Sequence, residues 1–82
     1  MPQIKDIINE LEKIARCESR FHAQSVNGIY VGMFQFDGAT WEHARAEMGL
    51  DPNPEIRTDA EESLRTAAYW ISAGHLRAWS CK

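Results

Sequence analysis

The stretch Cys17–Trp41, CESRFHAQSVNGIYVGMFQFDGATW, is where a helical pattern gives way to an aromatic segment punctuated by glycine. Apolar residues before it recur at helical spacing and predict a first helix, with Pro2 in its first turn and Glu18 in its last. The apolar face consists of Ile4, Ile7, Ile8, Leu11, Ile14 and Ala15. That face could bind a partner, but in a chain of 82 residues we expect it to form half of the core. Glu18 would then lie at the edge of apolar surroundings.

The rest of this stretch predicts a turn followed by a second helix. Asn27-Gly28 is a two-residue turn signal, so we expect a short hairpin or an irregular β-like loop after the first helix. Asp37 is placed to cap a second helix that runs through Met48 and that Gly49 can end. The inward face of this helix is predicted to consist of Trp41, Ala44 and Met48.

A third helix is predicted in the last part of the chain. Residues 50–57 contain the sequence DPNP, whose prolines favour a loop. Thr58 and Glu61 form a capping-box pattern at the start of a helix that ends at Gly74. Its inward face is predicted to consist of Leu64, Ala67, Ala68 and Ile71. Together the patterns predict one domain over residues 1–82, mainly α (α+β), with about three helices and a small hairpin.

The overall composition argues against two classes of partner. The chain has 44% hydrophobic and 26% charged residues, a formal net charge of -3 and a pI near 5.5. Its basic residues are scattered, whereas nucleic-acid binding depends on clustered Lys and Arg. No apolar run approaches the roughly 20 residues of a membrane-spanning helix. We therefore expect neither a nucleic-acid partner nor a membrane span.

The two cysteines, Cys17 and Cys81, lie near opposite ends of the predicted fold. A bridge between them would close a loop of about 65 residues, which the chain-entropy model values at roughly 4 kcal/mol. The alternative is a pair of buried free thiols. A bridge implies an oxidising compartment. Because the N-terminal sequence MPQIKDIINE shows no signal peptide, we expect either a trimmed part of a secreted protein or export by another route.

Four short motifs resemble those of a known family. They are Cys17-Glu18-Ser19, Tyr30-Val31-Gly32-Met33-Phe34-Gln35-Phe36, Thr40-Trp41 and Trp79-Ser80-Cys81. In this order they resemble the lytic transglycosylase and resuscitation-promoting factor group of the lysozyme-like superfamily, over roughly residues 10–81. Each motif is weak alone, but four at family-like spacing are specific. The resemblance implies a compact lysozyme-like catalytic domain.

The resemblance also implies cleavage of the β-1,4 bond between N-acetylmuramic acid and N-acetylglucosamine in peptidoglycan, with Glu18 as general acid and base. A glycosidic oxygen leaves readily only if it is protonated as the bond breaks, so the carboxyl group must stay protonated near neutral pH. Apolar surroundings, for which Phe34 and Phe36 are candidates, would disfavour the anion. In the alternative interpretation, Glu18 is a solvated residue at a helix end.

The sequence offers no clear second catalytic carboxylate. Glycosidases commonly use two, and Asp37 is the nearest candidate, although helix capping explains its position. Without a partner, the N-acetyl group of the substrate could assist. The resemblance implies that the muramic C6 hydroxyl then attacks and gives a 1,6-anhydro product. Attack by water would make the protein a muramidase. Loss of turnover would leave a peptidoglycan-binding module, and a phage lysis protein would use the same chemistry.

The predicted substrate-binding residues are Gln35, Tyr30, Thr40, Trp79, Trp41 and Tyr69. Gln35 is assigned by the resemblance, whereas the aromatic side chains offer flat faces for sugar rings. Trp41 and Trp79 could equally belong to the core. We expect no cofactor. We also expect no metal, because no spacing places two of the histidines on one helical face with a carboxylate. The expected partner is a peptidoglycan glycan strand outside the cytoplasm, bound by a monomer.

Overall fold

The computed structural model describes residues 3–81, which contain three α-helices, one short hairpin and two 3₁₀ helices. The elements are α1 (Ile4–Ser19), β1 (Val26–Asn27), β2 (Tyr30–Val31), α2 (Gly38–Met48), a 3₁₀ helix (Pro54–Thr58), α3 (Ala60–Ser72) and a second 3₁₀ helix (Leu76–Ala78). The two strands pair in an antiparallel hairpin. Three helices together with one small hairpin confirm the predicted mainly α fold. The prediction for Pro2 lies outside the described residues. Within residues 3–81, no helix combines the length and the apolar character that crossing a membrane requires.

Helix α1 ends in a tight reversal that leaves Glu18 in its last turn, as predicted. Arg20 and Phe21 adopt left-handed backbone conformations, with φ of 53° and 64°. Their N–H groups donate to the carbonyl oxygens of Arg16 and Ala15 at 3.1 and 3.2 Å. These bonds satisfy acceptors that a helix end otherwise leaves unpaired. The chain therefore leaves the helix axis directly after the turn that carries Glu18.

The hairpin forms where it was predicted, but its turn lies one residue later. Asn27 is paired with Tyr30 in the ladder, so Gly28 and Ile29 are the loop residues, rather than Asn27 and Gly28. Gly28 supplies a positive φ of 63°. Asn27 and Tyr30 therefore face each other at the closed end of the hairpin.

Aspartate side chains cap both α2 and α3. Asp37 accepts a hydrogen bond from the N–H of Thr40 at 2.6 Å, which confirms the predicted cap of α2. Asp59 accepts from the N–H of Glu62 at 3.0 Å, so the predicted capping box at Thr58 was wrong by one residue. Thr58 is instead the last residue of the preceding 3₁₀ helix.

Part of the segment that was predicted as a loop is helical. Pro54 occupies the first turn of the 3₁₀ helix, where a missing N–H costs no hydrogen bond. The side chain of Asn53 caps this turn by accepting from the N–H of Glu55 at 3.0 Å. The loop prediction for residues 50–57 therefore holds only as far as Asn53.

The core lies between the three helices and the aromatic segment after the hairpin. The Phe36 ring meets the rings of Trp41 and Trp79 edge-on, with centroids 5.3 and 5.6 Å apart. Such contacts between buried aromatic rings add to the stabilisation from burial itself. The buried hydrophobic residues are Leu11, Ile14, Ala15, Phe34, Phe36, Trp41, Ala44, Ala67, Trp70, Ile71 and Trp79.

Parts of α1 and α3 that were predicted to face the core are exposed. Ile4 is 78% exposed, Ile8 49% and Leu64 46%. In contrast, Ile14 and Ala15 are buried, so the apolar face of α1 reaches the core mainly in its C-terminal half. The N-terminal half of that face lines an open apolar groove together with α3.

A buried arginine joins α2 to α3. Arg45 is 3% exposed and donates to Glu62 Oε1 at 2.8 Å, to the hydroxyl of Thr66 at 3.2 Å and to the carbonyl oxygen of Asp51 at 2.9 Å. Its guanidinium carbon also lies 5.1 Å from the centre of the Trp41 ring. A charge in this position requires such partners because burial removes its hydration. The sequence analysis assigned no role to this residue.

Candidate active site

A cleft of about 280 Å³ lies between the last turn of α1, the hairpin and the C-terminal tail. Five of the predicted site residues line it: Glu18, Tyr30, Gln35, Thr40 and Trp79. Its other lining residues are Asn27, Phe36, Asp37, Ala78 and Ser80. The cleft therefore combines carboxyl and amide groups with aromatic side chains.

Glu18 lies partly buried in this cleft. Burial raises the pKa of its carboxyl group above the usual 4.5, because the anion loses hydration. A hydrogen bond from the backbone N–H of Cys81 lowers the pKa by a smaller amount. The net direction is upward, so a larger fraction of this carboxyl group stays protonated at a given pH.

The disulfide bond between Cys17 and Cys81 holds the backbone N–H of Cys81 beside the carboxyl group of Glu18. Its presence confirms the predicted bridge, and the two Cα atoms lie 5.7 Å apart. Because Cys17 directly precedes Glu18, the bond fixes the C-terminal tail to the last turn of α1. Ala78 and Ser80, just before Cys81, line the cleft. The bridge therefore supports one wall of the candidate site.

Gln35 is buried at the cleft in a left-handed backbone conformation, with φ of 52°. Its Nε2 donates to the carbonyl oxygens of Gly32 and Ser25 at 2.8 and 3.1 Å. Both amide protons are therefore used within the protein. Among residues 3–81, no donor is bonded to its amide oxygen, which leaves that oxygen for a ligand. Gln35 thus holds its loop together as well as lining the cleft.

Ser19 ties the end of α1 to the aromatic segment, a role that the sequence analysis missed. Its buried hydroxyl lies 2.7 Å from the carbonyl oxygen of Met33 and 3.2 Å from that of Ala15. A hydroxyl has one proton, so the two acceptors share it. The adjacency of Ser19 to Glu18 in the first motif was the available signal.

Gly32 and Arg57 fix the cleft-forming loop to the first 3₁₀ helix. Gly32 has a φ of 94°, and a Cβ atom there would lie 2.1 Å from the carbonyl oxygen of Arg57. The Arg57 guanidinium in turn donates to the carbonyl oxygens of Phe36 at 2.9 Å and Ile29 at 3.2 Å. Nothing in the local sequence signals the role of Arg57, because its partners are backbone atoms distant in the chain.

The predicted residues at the cleft differ in how much surface they offer to a ligand. Tyr30 is 46% exposed on β2, and Thr40 is partly buried in the first turn of α2. Trp79 is only 4% exposed, and its Nε1 donates to the carbonyl oxygen of Phe34 at 2.8 Å. Trp79 is therefore a core residue that also borders the cleft, whereas Tyr30 is the aromatic side chain most open to a ligand.

Trp41 and Tyr69, which were also predicted to bind substrate, do not line the cleft. Trp41 is fully buried, and its Nε1 donates to the carbonyl oxygen of Asn53 at 3.0 Å. The Tyr69 hydroxyl donates to Glu47 Oε1 at 2.7 Å. This bond is the main reason why the pKa of Glu47 is lowered. Both aromatic residues therefore have structural partners that the sequence did not reveal.

Asp37 borders the same cleft as Glu18, but its carboxylate also caps α2 through Thr40. Among the described residues, no group of three or more His, Cys, Asp or Glu is arranged to hold a metal ion. Comparisons of the chain with protein-family models, curated proteins and solved structures found no match. The geometry of the cleft and the sequence motifs are therefore the observations that bear on the function of the protein.

Proposed function

We propose that this protein cleaves the β-1,4 bond between N-acetylmuramic acid and N-acetylglucosamine in peptidoglycan, with Glu18 as general acid and base. The observation that carries the proposal is a carboxyl group whose pKa is raised by burial, lining a cleft beside an exposed tyrosine ring. The four sequence motifs support the same chemistry. The proposed class is a lytic transglycosylase or a muramidase.

In the first step, the protonated Glu18 carboxyl group donates its proton to the bridging oxygen as the bond from that oxygen to the muramic C1 breaks. The leaving N-acetylglucosamine departs as a neutral alcohol. Positive charge then develops at C1, and the carbonyl oxygen of the neighbouring N-acetyl group forms a bond to C1 and relieves it. Glu18 is left as a carboxylate.

In the second step, the Glu18 carboxylate acts as the base. It removes a proton from the muramic C6 hydroxyl, whose oxygen attacks C1 and displaces the N-acetyl oxygen to give a 1,6-anhydro sugar. If a water molecule takes the place of that hydroxyl, the product is the hydrated sugar. Asp37 borders the cleft, but the cap it provides to α2 accounts for its position without a catalytic role.

The disulfide bond supports a location in an oxidising compartment. We propose an extracytoplasmic site of action, at the cell wall or as part of a phage lysis system. In either setting the substrate is an extended glycan strand, for which a cleft at the protein surface is suited.

The direct test compares the wild type with Glu18→Gln on purified peptidoglycan sacculi. Removal of the acid is expected to lower the rate of clearing by about 10²-fold or more. Glu42→Gln is the matched control, because it makes the same chemical change at an exposed position of α2 outside the cleft. Equal clearing by wild type and Glu18→Gln would eliminate the proposed role.

Mass spectrometry of the released muropeptides separates the possible reactions. A product lighter than the hydrolysis product by one water identifies the transglycosylase, and the hydrated sugar identifies the muramidase. Binding to sacculi without any soluble product would favour a peptidoglycan-binding module.

A second comparison tests the cleft itself. Tyr30→Ala removes the exposed aromatic surface at the cleft, whereas Tyr69→Ala removes a tyrosine whose hydroxyl is bonded to Glu47 elsewhere. We expect weaker binding to sacculi for Tyr30→Ala and unchanged binding for Tyr69→Ala. The reverse result would place the glycan on another surface.

A further inference from the structure

The apolar groove between α1 and α3 is separate from the candidate active site. It has a volume of about 670 Å³ and shares no lining residue with the cleft. Its most exposed apolar side chains are Ile4, Ile8, Phe21 and Leu64. Contiguous apolar surface on a small protein marks an interaction site more often than isolated apolar residues do.

The exposure of the apolar face of α1 falls steadily along the helix. Ile4 is 78% exposed, Ile8 49%, Leu11 7% and Ala15 2%. At 100° per residue these four side chains lie within an arc of about 60°. One end of the face is therefore open to solvent, whereas at the other end the buried Leu11 and Ala15 line a hollow together with Met33.

We propose that a second copy of this chain occupies the groove in a two-fold symmetric dimer. The two α1 helices cross antiparallel near Ile8, so that the Ile4 end of each helix lies over the hollow at Leu11 and Ala15 of the other. A two-fold interface uses the same surface on both partners and must be complementary to itself. In the antiparallel arrangement the exposed end of each face meets the recessed end of the other, whereas a parallel arrangement would place the two exposed ends together.

The charged residues beside this face can also pair with the same residues of a second copy. Lys5 and Glu12 lie about two helical turns apart on the same flank of α1, next to Ile8. Both are exposed, and within residues 3–81 neither belongs to an ion pair. An antiparallel crossing centred between Ile8 and Asn9 brings Lys5 of each copy to Glu12 of the other. In a parallel two-fold crossing this flank would face the opposite flank of the partner helix, so Lys5 and Glu12 would not pair across the interface.

The charges on the α3 side of the groove are already paired within the chain. Arg65 lies 3.4 Å from Glu61 and 3.5 Å from Glu62. This rim therefore presents little unpaired charge, which leaves Lys5 and Glu12 to determine the orientation of the partner. The sequence analysis predicted a monomer, and the exposure of Ile4 and Ile8 is the observation that favours a dimer instead.

Sedimentation equilibrium from micromolar to millimolar concentration tests the proposal, with charge-exchange variants as the specific probe. The wild type is expected to dimerise. Lys5→Glu and Glu12→Lys alone are each expected to weaken the dimer by roughly tenfold, because two symmetric attractions become repulsions. An equimolar mixture of the two variants restores complementarity and is expected to form a heterodimer. Circular dichroism shows whether each variant is folded. Because Lys5 and Glu12 are both exposed, we expect both variants to fold.

A wild type that stays monomeric at millimolar concentration would overturn the proposal. A dimer that does not respond to either charge exchange, or variants that fail to associate on mixing, would overturn the antiparallel arrangement. The inference does not depend on the proposed function, because the groove and the cleft share no lining residue. Loss of association is therefore expected to leave cleavage per chain unchanged.

Discussion

Cys17, the residue before Glu18, is joined by a disulfide bond to Cys81, whose backbone N–H lies close enough to the Glu18 carboxyl group to lower its pKa. The disulfide bond therefore holds in place both the backbone N–H of Cys81 and the tail that borders the cleft. The acid sits in the last turn of α1, whereas its donor comes from the other end of the chain. Fold stability and the environment of the acid are coupled through this bond.

Reduction of the disulfide bond is expected to lower both stability and activity. The bridge spans 64 positions, and a closed loop of this size contributes about 4 kcal/mol in the chain-entropy model. Denaturant unfolding with and without a reductant measures the change. A Cys17→Ala, Cys81→Ala double variant should match the reduced protein and should be unaffected by reductant. An unchanged unfolding midpoint on reduction would contradict the predicted contribution.

Replacement of Glu18 by Gln is expected to stabilise the protein at neutral pH. Burial raises the pKa of Glu18 in the folded state, so the folded chain binds more protons than the unfolded chain between the two pKa values. The unfolding free energy of the wild type therefore falls as pH rises through this range. Below the unfolded pKa, the carboxyl group is neutral in both states and the cost is absent.

Thermal unfolding of wild type and Glu18→Gln at acidic and neutral pH tests this sign. The stability advantage of the variant should be larger at neutral pH than at acidic pH. The change in stability of Glu42→Gln measures the general effect of losing a negative charge, and it is subtracted from the change for Glu18→Gln. An advantage that grows toward acidic pH would indicate that the Glu18 pKa is lowered, not raised.

Replacement of Gly32 by Ala is expected to destabilise the protein by about 3 kcal/mol or more. The added Cβ would lie 2.1 Å from the backbone oxygen of Arg57, at a φ of 94°. Gly28→Ala is the matched control, because Gly28 also has a positive φ but its Cβ would have nothing within 4 Å. We expect the control to cost about 1 kcal/mol. Equal losses in denaturant unfolding would exclude close approach to Arg57 as the reason for a glycine.

Replacement of Trp79 or Trp41 by Phe separates the cleft from the core. Trp79 and Trp41 each donate a ring N–H to a backbone carbonyl oxygen, at 2.8 and 3.0 Å. Loss of such a bond leaves a carbonyl group without its partner, so both variants should lose about 1–3 kcal/mol of stability. Only Trp79 borders the cleft, so only Trp79→Phe should weaken glycan cleavage under conditions where both variants are folded. Comparable loss of cleavage for Trp41→Phe would contradict the location of the site.

The sequence was most informative where the physical signal is local. The spacing of apolar residues predicted α1 with Glu18 in its last turn, and the capping position of Asp37 predicted the start of α2. The turn of the hairpin and the start of α3 were each misplaced by one residue, because neighbouring residues there have similar turn and cap propensities. Such one-residue choices are decided by pairing and packing partners that lie elsewhere in the chain.

The sequence was least informative where a side chain bonds to distant backbone atoms. The sequence left Trp41 open between substrate contact and the core, and the structure places it in the core, where its ring N–H donates to the carbonyl oxygen of Asn53. Arg57 and Ser19 fix the cleft through carbonyl oxygens, which carry no residue-specific signal. The exposed Ile4 also could not be distinguished from a core residue by helical spacing alone.

The proposed role of Glu18 requires that the cleft keep its carboxyl group protonated to a higher pH than that of an ordinary glutamate. NMR titration of the side-chain carboxyl carbon measures this directly, with the resonance assigned by its absence in Glu18→Gln. We predict a titration midpoint above the usual 4.5, because burial outweighs the hydrogen bond from Cys81. A midpoint at or below that value would show that the acid is effectively solvated and would contradict its role as a proton donor.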